Sequence, residues 1–193
     1  MAAPRWEYRV WHDAPPPLPL GPVEERTDIY LLHRAMTARM VKVREGMLDV
    51  KEMVDCSGGL QRWMPAGRYG FPLGAGQLAA VLCLDQSERA ILGEDLSSPE
   101  VLRERLAQGT GTAIVSVSKR RVLDEVHDCR RETAQVRIHG RWHGSQVLEH
   151  PRAERVRSAI RALGWPEAAN ESYAQRLGRE DQPAMASSSQ CMP

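Results

Sequence analysis

Basic side chains alternate with apolar ones in several short segments of this sequence. Lys42-Val43-Arg44 and Arg137-Ile138-His139 show this spacing, and Lys119-Arg120-Arg121 places two cations two positions apart. Because side chains alternate between the two faces of a β-strand, the cations of each segment fall on one face. Ammonium and guanidinium groups gathered on one surface are the groups that proteins use to hold phosphate. These segments therefore point to the binding of a polyanion.

The same spacing recurs in other predicted strands, where Arg9 follows Glu7 and Lys51 follows Asp49 at two positions. A half-exposed sheet also alternates, with its charges in water, and that explanation suffices for any single strand. Here the pattern occurs in nearly every strand, and bases outnumber acids on the charged faces. If the sheet closes on itself, these faces line a basic tunnel. We therefore predict a phosphate-binding set that consists of Arg9, Lys42, Arg44, Lys51, Lys119, Arg121 and Arg137.

Period-two patterns predict at least six strands, which must position these groups. They lie at 5–12, 39–45, 47–54, 112–123, 133–139 and 144–149. Capping and stop signals predict two helices, one from Pro99 to the residues before Gly109 and one over 152–163. Segment 24–38 fits either a short helix or a strand, and segment 77–84 fits either a buried strand or a short helix. Segment 56–76 is rich in Gly and Pro and is predicted to be irregular. The balance favours an α+β fold, an antiparallel β-barrel or sandwich decorated by helices.

Length and composition describe one domain without an overall electrostatic bias. The 193 residues carry 26 Lys and Arg against 25 Asp and Glu, a net charge of +1, which disfavours nucleic acid as a partner. No apolar run approaches the roughly 18 residues of a membrane span, so we expect no membrane contact and a cytoplasmic location. The four cysteines lie too far apart for a zinc ribbon or redox pair, and we expect reduced thiols. We predict one domain over 1–178 and a disordered tail over 179–193.

The order and spacing of these segments resemble the CYTH-like domain of the triphosphate tunnel metalloenzymes, a family that includes triphosphatases and a class of adenylyl cyclase. The likeness runs from about Trp6 to Leu177, with Glu7 at the start of the family's ExExK strand. Asp28-Ile29-Tyr30 is similar to the family's Asp-x-Tyr turn, and Asn170-Glu171-Ser172-Tyr173 is similar to its closing N-x-S-Y motif. The basic pairs of the family's later strands correspond to those named above. The resemblance implies a tunnel that holds phosphate groups.

The carboxylates that this resemblance implies for a divalent metal are mostly replaced. Arg9 stands for the second Glu of the first strand, His139 for a late Asp, and the last-strand ExE is Val147-Leu148-Glu149. Glu7 and Glu149 are left as candidate metal ligands, for Mg²⁺ or Mn²⁺ if the protein is active. An arginine at a ligand position repels such an ion. The resemblance therefore implies a tunnel that keeps phosphate binding while its metal site has degenerated.

Three functions fit these residues. The first is non-catalytic or weakly active binding of a phosphorylated small molecule or polyphosphate, in a sensor, a scaffold or the partner subunit of another protein. The second is a divalent-metal-dependent triphosphatase with a rearranged site, in which Glu7 and Glu149 hold the ion. The third is a structural protein-interaction module whose inward Arg and Glu side chains neutralise one another. The sequence favours the first.

Overall fold

Eight antiparallel strands form a closed barrel, and five helices decorate it, in a computed structural model that describes residues 3–94, 96–166 and 170–181. The strands are β1 (Arg5–His12), β2 (Glu24–His33), β3 (Arg39–Arg44), β4 (Met47–Ser57), β5 (Leu60–Tyr69), β6 (Thr112–Val126), β7 (Cys129–Ile138) and β8 (Arg141–His150). The helices are α1 (Ala75–Leu82), α2 (Gln86–Leu92), α3 (Pro99–Ala107), α4 (Ala153–Ala162) and α5 (Tyr173–Asp181). Around the barrel the order is β1-β5-β4-β3-β2-β6-β7-β8. The expected α+β barrel is confirmed.

The hairpin of β4 and β5 occupies most of the segment that we expected to be irregular. Its turn is Gly58-Gly59, with φ angles of 53° and 77°, a left-handed conformation that glycine adopts without strain. Pro65, which argues against a strand, pairs with Lys51 beside a register shift. A bulge of this kind tolerates a proline within a sheet. The prediction for 56–76 was therefore wrong over 56–69.

The ambiguous segment 24–38 is a strand over most of its length. Asp28-Ile29-Tyr30, which we matched with a turn, lies within β2, and that prediction was wrong. Tyr30 pairs with Lys42 of β3 on one side and with Val115 of β6 on the other. Neighbours on both sides hold this backbone extended, and the side chains of Asp28 and Tyr30 therefore fall on one face of the strand.

Helices α1 to α3 cover the outer face of β2, β3 and β4. The α3 prediction is confirmed, with Pro99 in its first turn and the Ser98 side chain accepting from Val101 N at 3.4 Å. Of the segment 77–84, residues 77–82 belong to helix α1. Helix α2, which we missed, begins with a capping box of Asp85 and Glu88. Helix and strand side chains share one apolar cluster that includes Leu31, Val41, Val50, Leu78, Leu82 and Leu102. This packing turns the uncharged faces of the three strands outward and their charged faces into the barrel.

Helix α4, also confirmed, covers another outer face of the barrel. Its Val156 and Ile160 pack with Tyr8 and Val10 of β1 and with Leu148 of β8. Residues at odd positions of β1, Glu7 and Arg9 among them, consequently face the interior.

The segment Asn170-Glu171-Ser172-Tyr173 joins the chain back to β1. The pairing of β1 with β5 runs from Arg5 to Glu7. Beyond it, Asn170 Oδ1 accepts from Arg9 N at 2.9 Å, and Glu171 N donates to Arg9 O at 3.2 Å. Ser172 Oγ then accepts from Gln175 N at 3.3 Å and caps the start of α5. Segment 170–173 therefore adds hydrogen bonds to the backbone of β1 and positions the start of α5 at the end of the barrel.

Helix α5 fills that end of the barrel. Its Tyr173 and Leu177 pack among inward-facing side chains such as Tyr30, Val117 and Val136. Trp11, on the inward face of β1, is covered by the same segment and donates from Nε1 to Glu171 O at 2.9 Å. The helix continues to Asp181, so the domain boundary predicted at 178 falls inside an element. The rest of the predicted tail, 182–193, lies outside the described residues.

Two further features concern expectations from composition. None of the helices in the described ranges has the length and apolar character that crossing a bilayer requires. Cys83 and Cys129 are free thiols, one exposed and one buried, whereas Cys56 is disulfide-bonded, contrary to our expectation of reduced thiols.

Candidate functional site

The end of the barrel away from α5 holds a cavity of about 470 Å³. Within the described residues, nine basic side chains line it: Arg9, Arg26, Lys42, Arg44, Lys51, Arg68, Lys119, Arg121 and Arg130. Four acidic side chains share the wall: Glu7, Asp49, Glu132 and Glu149. Arg68 and Arg130 are about half exposed and mark its rim, whereas Lys119 is buried at its base. The cavity is thus strongly basic, and its cations extend from solvent to the interior.

The structure brings together all but one of the residues that sequence analysis predicted for the site. Arg9, Lys42, Arg44, Lys51, Lys119 and Arg121 line the cavity, as do the two candidate metal ligands Glu7 and Glu149. They converge because they occupy inward positions on β1, β3, β4, β6 and β8, as the period-two pattern requires.

Arg137 is the exception, and its assignment to the tunnel was wrong. It pairs with Ser118 and Trp142, is exposed, and donates to Gly140 O at 3.4 Å. Lys119 pairs instead with Val136, so Val136 faces the interior and Arg137 faces outward. The alternation was recognised, but the register between β6 and β7 could not be read from either strand alone.

Asp28 forms the centre of the basic cluster and is fully buried. Its Oδ2 accepts from Lys42 Nζ and from Lys119 Nζ, each at 3.1 Å. Arg44 donates to the same carboxylate from Nε at 2.8 Å and from Nη2 at 3.2 Å. Burial alone would raise the pKa of Asp28, but the Arg44 hydrogen bonds and the charges of both lysines outweigh it and hold the pKa well below its usual range. One carboxylate therefore accepts hydrogen bonds from three cations, and a fourth, Arg26, has its Nε 3.8 Å from Oδ1.

The two lysines at this cluster are incompletely compensated. Burial lowers the pKa of Lys42 to about 8, because the attraction of Asp28 does not fully offset the loss of water. Burial also lowers the pKa of Lys119 well below its ordinary value, and the neighbouring charge of Lys42 adds to the effect. Lys119 Nζ is further held by the Tyr30 hydroxyl at 2.9 Å. Both ammonium groups would gain from an additional negative charge.

Glu132 is a cavity residue that sequence analysis missed. Its carboxylate lies 3.5 Å from Arg9 Nη1 and 2.6 Å from Arg121 Nη1. Burial would raise the pKa of Glu132, yet the charges of Arg9, Lys119 and Arg121 bring it far below normal. We had matched the acid expected on this strand with His139, which is exposed at the start of the β7–β8 turn, with φ of 47°. Beginning the predicted strand at 133 hid Glu132, although it shares the parity of the inward Val136.

Glu7 and Glu149 pair directly across β1 and β8. Burial raises the pKa of Glu149, and the charge of Glu7 raises it further. A like-charged pair of this kind attracts a cation, but Lys51 Nζ already lies 2.9 Å from Glu7 Oε1, and Arg130 Nη1 lies 3.9 Å from Glu149 Oε2. Across the three described ranges, no three His, Cys, Asp or Glu side chains group as metal ligands. These donors do not fit a resident Mg²⁺ or Mn²⁺, which favours more oxygen ligands than two paired carboxylates supply.

No protein-family model matches the sequence, and no curated protein matches it. Among solved structures, the chain is similar to a Hippeastrum protein described as a candidate adenylyl cyclase with a dominant triphosphatase activity, at 10% identity over 93% of this chain and 96% of that chain, with a TM-score of 0.48. It is also similar to a protein from Pyrococcus horikoshii OT3 (16% identity, 86% and 94% of the chains, TM-score 0.45) and to a candidate adenylate cyclase from Bacillus halodurans (11%, 89% and 97%, TM-score 0.46). Likeness at this level carries no conclusion about ligand or activity.

Proposed function

We propose that the barrel binds a phosphorylated small molecule or polyphosphate in its basic cavity and does not turn it over, or does so weakly. The observation that carries this proposal is the sharing of one buried carboxylate, Asp28, by Lys42, Lys119 and Arg44. A self-contained ion pair needs one acid for one base. Here the bases exceed the acids around a fully buried carboxylate, where desolvation makes an uncompensated charge costly.

The pairing of the other acids supports the same conclusion. Glu132 serves Arg9 and, together with Glu24, Arg121, while Glu7 serves Lys51. Internal neutralisation, the basis of the interaction-module hypothesis, therefore accounts for part of the positive charge and leaves a surplus. Phosphate oxygens fit this surplus, since they accept hydrogen bonds from ammonium and guanidinium groups and supply the missing charge.

Binding without efficient turnover follows from the state of the remaining carboxylates. Phosphoryl transfer depends on electrostatic stabilisation of the reacting phosphate, which a divalent ion commonly provides. Glu7 and Glu149, the candidate ligands, are engaged by Lys51 and Arg130 rather than available as an open donor set. A role as sensor, scaffold or partner subunit is consistent with a cavity that retains its ligand.

The proposal is tested by calorimetric titration of the protein with tripolyphosphate at pH 7. Replacing Lys119 and Arg121 by Ala together removes two charge-assisted contacts, so we expect binding at least about a hundredfold weaker. Arg137→Ala is the matched control: it also removes a strand arginine, but one that faces outward, and it should bind as the native protein does. Undetectable binding by the native chain, or equal affinity in the double variant, would refute the proposal.

A metal-dependent triphosphatase is the second candidate, favoured by the direct opposition of Glu7 and Glu149. Phosphate release from tripolyphosphate, ATP and thiamine triphosphate, with Mg²⁺ or Mn²⁺ present, distinguishes the two. Turnover that is abolished by Glu7→Gln would establish the second candidate, whereas binding without release supports the first. A protein that neither binds nor releases phosphate would be better explained as an interaction module.

A further inference from the structure

All three lysines of the sequence line the basic cavity. They are Lys42, Lys51 and Lys119, whereas six of the 23 arginines line it within the described residues. Arginine alone would suffice for a site that only attracts phosphate, since its guanidinium keeps its charge and binds two oxygens at once. Lysine differs because its amine can lose a proton and then attack a carbonyl carbon. The placement of every lysine in the cavity therefore points to chemistry that an amine supplies and a guanidinium does not.

Among the three amines, that of Lys42 combines access from the cavity with a buried position. Its side chain is 11% exposed, against 2% for Lys119, whose amine donates to the Tyr30 hydroxyl at 2.9 Å. Lys51 is 37% exposed, and its amine lies 2.9 Å from Glu7 Oε1. A ligand can therefore reach Lys42 from the cavity and remain covered by protein once it is there.

The cluster around Asp28 tolerates a neutral amine at Lys42. Asp28 Oδ2 accepts from Lys42 and from Lys119, and Arg44 donates twice to the same carboxylate. When Lys42 gives up its proton, Lys119 and Arg44 still compensate the charge of Asp28. Burial lowers the pKa of Lys42 to about 8, against the attraction of Asp28 and with the charge of Arg44 adding to the effect. At pH 7 about a tenth of the Lys42 side chains are free amines, against about one in three thousand at the ordinary pKa of 10.5.

We propose that Lys42 Nζ condenses reversibly with the carbonyl group of a phosphorylated aldehyde and holds that ligand in the cavity as an imine. The free amine attacks the carbonyl carbon, a C–N bond forms, and one proton moves from the nitrogen to the carbonyl oxygen. The resulting carbinolamine loses water, formed from its hydroxyl group and the second amine hydrogen, and a C=N bond remains. The step needs no oxidant or reductant, and hydrolysis reverses it.

The cations that surround Lys42 would hold the phosphate group of such a ligand. Arg44 follows it on the inward face of β3, and Arg26 and Lys119 line the same cavity. A phosphate fixed by these groups keeps the carbonyl carbon close to the amine, so that the attack becomes effectively intramolecular. This inference rests on the proposed function and narrows its ligand to phosphorylated aldehydes.

The test uses pyridoxal 5′-phosphate, a phosphorylated aldehyde, with the full chain at pH 7. Borohydride reduces the imine to a stable amine, and mass spectrometry of peptides locates the modified lysine. We expect one adduct, at Lys42, formed at least about tenfold faster than any at Lys51, although Lys51 is the more exposed. Pyridoxal, which lacks the phosphate, should react at least about tenfold more slowly, and tripolyphosphate should prevent the reaction.

Lys42→Arg is the control variant, because it keeps a positive charge and removes the nucleophile. The adduct should disappear from this variant without transfer to Lys51 or Lys119. Its unfolding in urea should remain cooperative, which separates the loss of an amine from the loss of the fold.

The outcomes separate this inference from the proposed function. If the native chain binds tripolyphosphate but forms no adduct, or reacts first at Lys51, the proposed function stands and this inference is overturned. If the native chain neither binds tripolyphosphate nor forms an adduct, both fall. An adduct at Lys42 that forms equally fast with pyridoxal would also overturn the inference, because the phosphate would then play no part.

Discussion

Replacing Asp28 by Asn is the sharpest test of the charge arrangement in the cavity. The change keeps the size of the side chain and removes the one negative charge that Lys42, Lys119 and Arg44 share. Breaking a buried ion pair by removing one partner costs about 3–5 kcal/mol, because the remaining charge stays buried without compensation. The lysines limit the loss: burial already lowers the pKa of Lys42 to about 8 while Asp28 raises it, so without Asp28 the pKa falls further and Lys42 can release its proton. Arg44 cannot release its proton at pH 7 and stays charged, so we expect the free energy of unfolding to fall by about 3–5 kcal/mol.

The measurement is urea unfolding at pH 7 and low ionic strength, since urea does not screen charge as guanidinium does. Asp49→Asn is the matched control. Asp49 also faces the cavity, but it is partly exposed and lies 3.8 Å from Arg44 Nη1 and 3.4 Å from Arg68 Nε. An ion pair in that setting contributes about 0–1 kcal/mol. Equal stabilities for the two variants would show that Asp28 does not hold the cluster together, and the reasoning that leads to the proposed function would fail with it.

Two pH dependences follow from the same cluster. Tripolyphosphate affinity should fall as pH rises from 7 to 9, because Lys42, with its pKa near 8, loses the charge that contacts the anion. Titration calorimetry in buffers of different ionisation enthalpy should detect proton uptake on binding. Lys42→Arg should lose this component of the fall, and equal pH profiles for the two proteins would contradict the assignment. The second dependence concerns acid. The folded-state pKa values of Asp28 and Glu132 lie below the ordinary values of 3.8 and 4.5. Their ionised carboxylates therefore stabilise the protein fully above the ordinary values, and this contribution is lost as the pH falls from there toward the folded-state pKa values. Urea unfolding between pH 7 and pH 3 should show declining stability, with a smaller decline in Glu132→Gln; an equal decline would argue against a role for Glu132.

Strand periodicity sufficed to predict the barrel and most of its inward-facing cations. Lys42 and Arg44 alternate with aliphatic residues that must be buried, and Lys119 and Arg121 are two positions apart, so the common orientation of each pair follows from its strand alone. The prediction failed where orientation depends on a neighbour. Arg137 alternates just as clearly, but the register that sets β7 against β6 turns it outward.

Other parts of the site depend on contacts between residues distant in sequence. Asp28 was matched with a turn, and nothing local shows that two lysines and an arginine from other strands would meet on its carboxylate. Tyr173 was noted as part of a motif, without a role. Its position in the cavity results from Asn170 and Glu171 bonding to the backbone of Arg9, more than 150 residues earlier in the chain. Glu132 was missed because the predicted strand began at 133, whereas β7 begins at Cys129.

The filling of one end of the barrel by α5 has a consequence for the shape of what can bind. Tyr173 and Leu177 pack among Tyr30, Val117 and Val136, so side chains fill the interior at that end of the barrel. If the cavity binds a linear polyanion as proposed, the filled end prevents the chain from passing through the barrel. The chain would then enter by one terminus, and only its last few units would contact the cavity. Binding of this kind would select the terminus of a polyanion over its internal units. A bound terminus would also be protected from enzymes that remove units from that terminus.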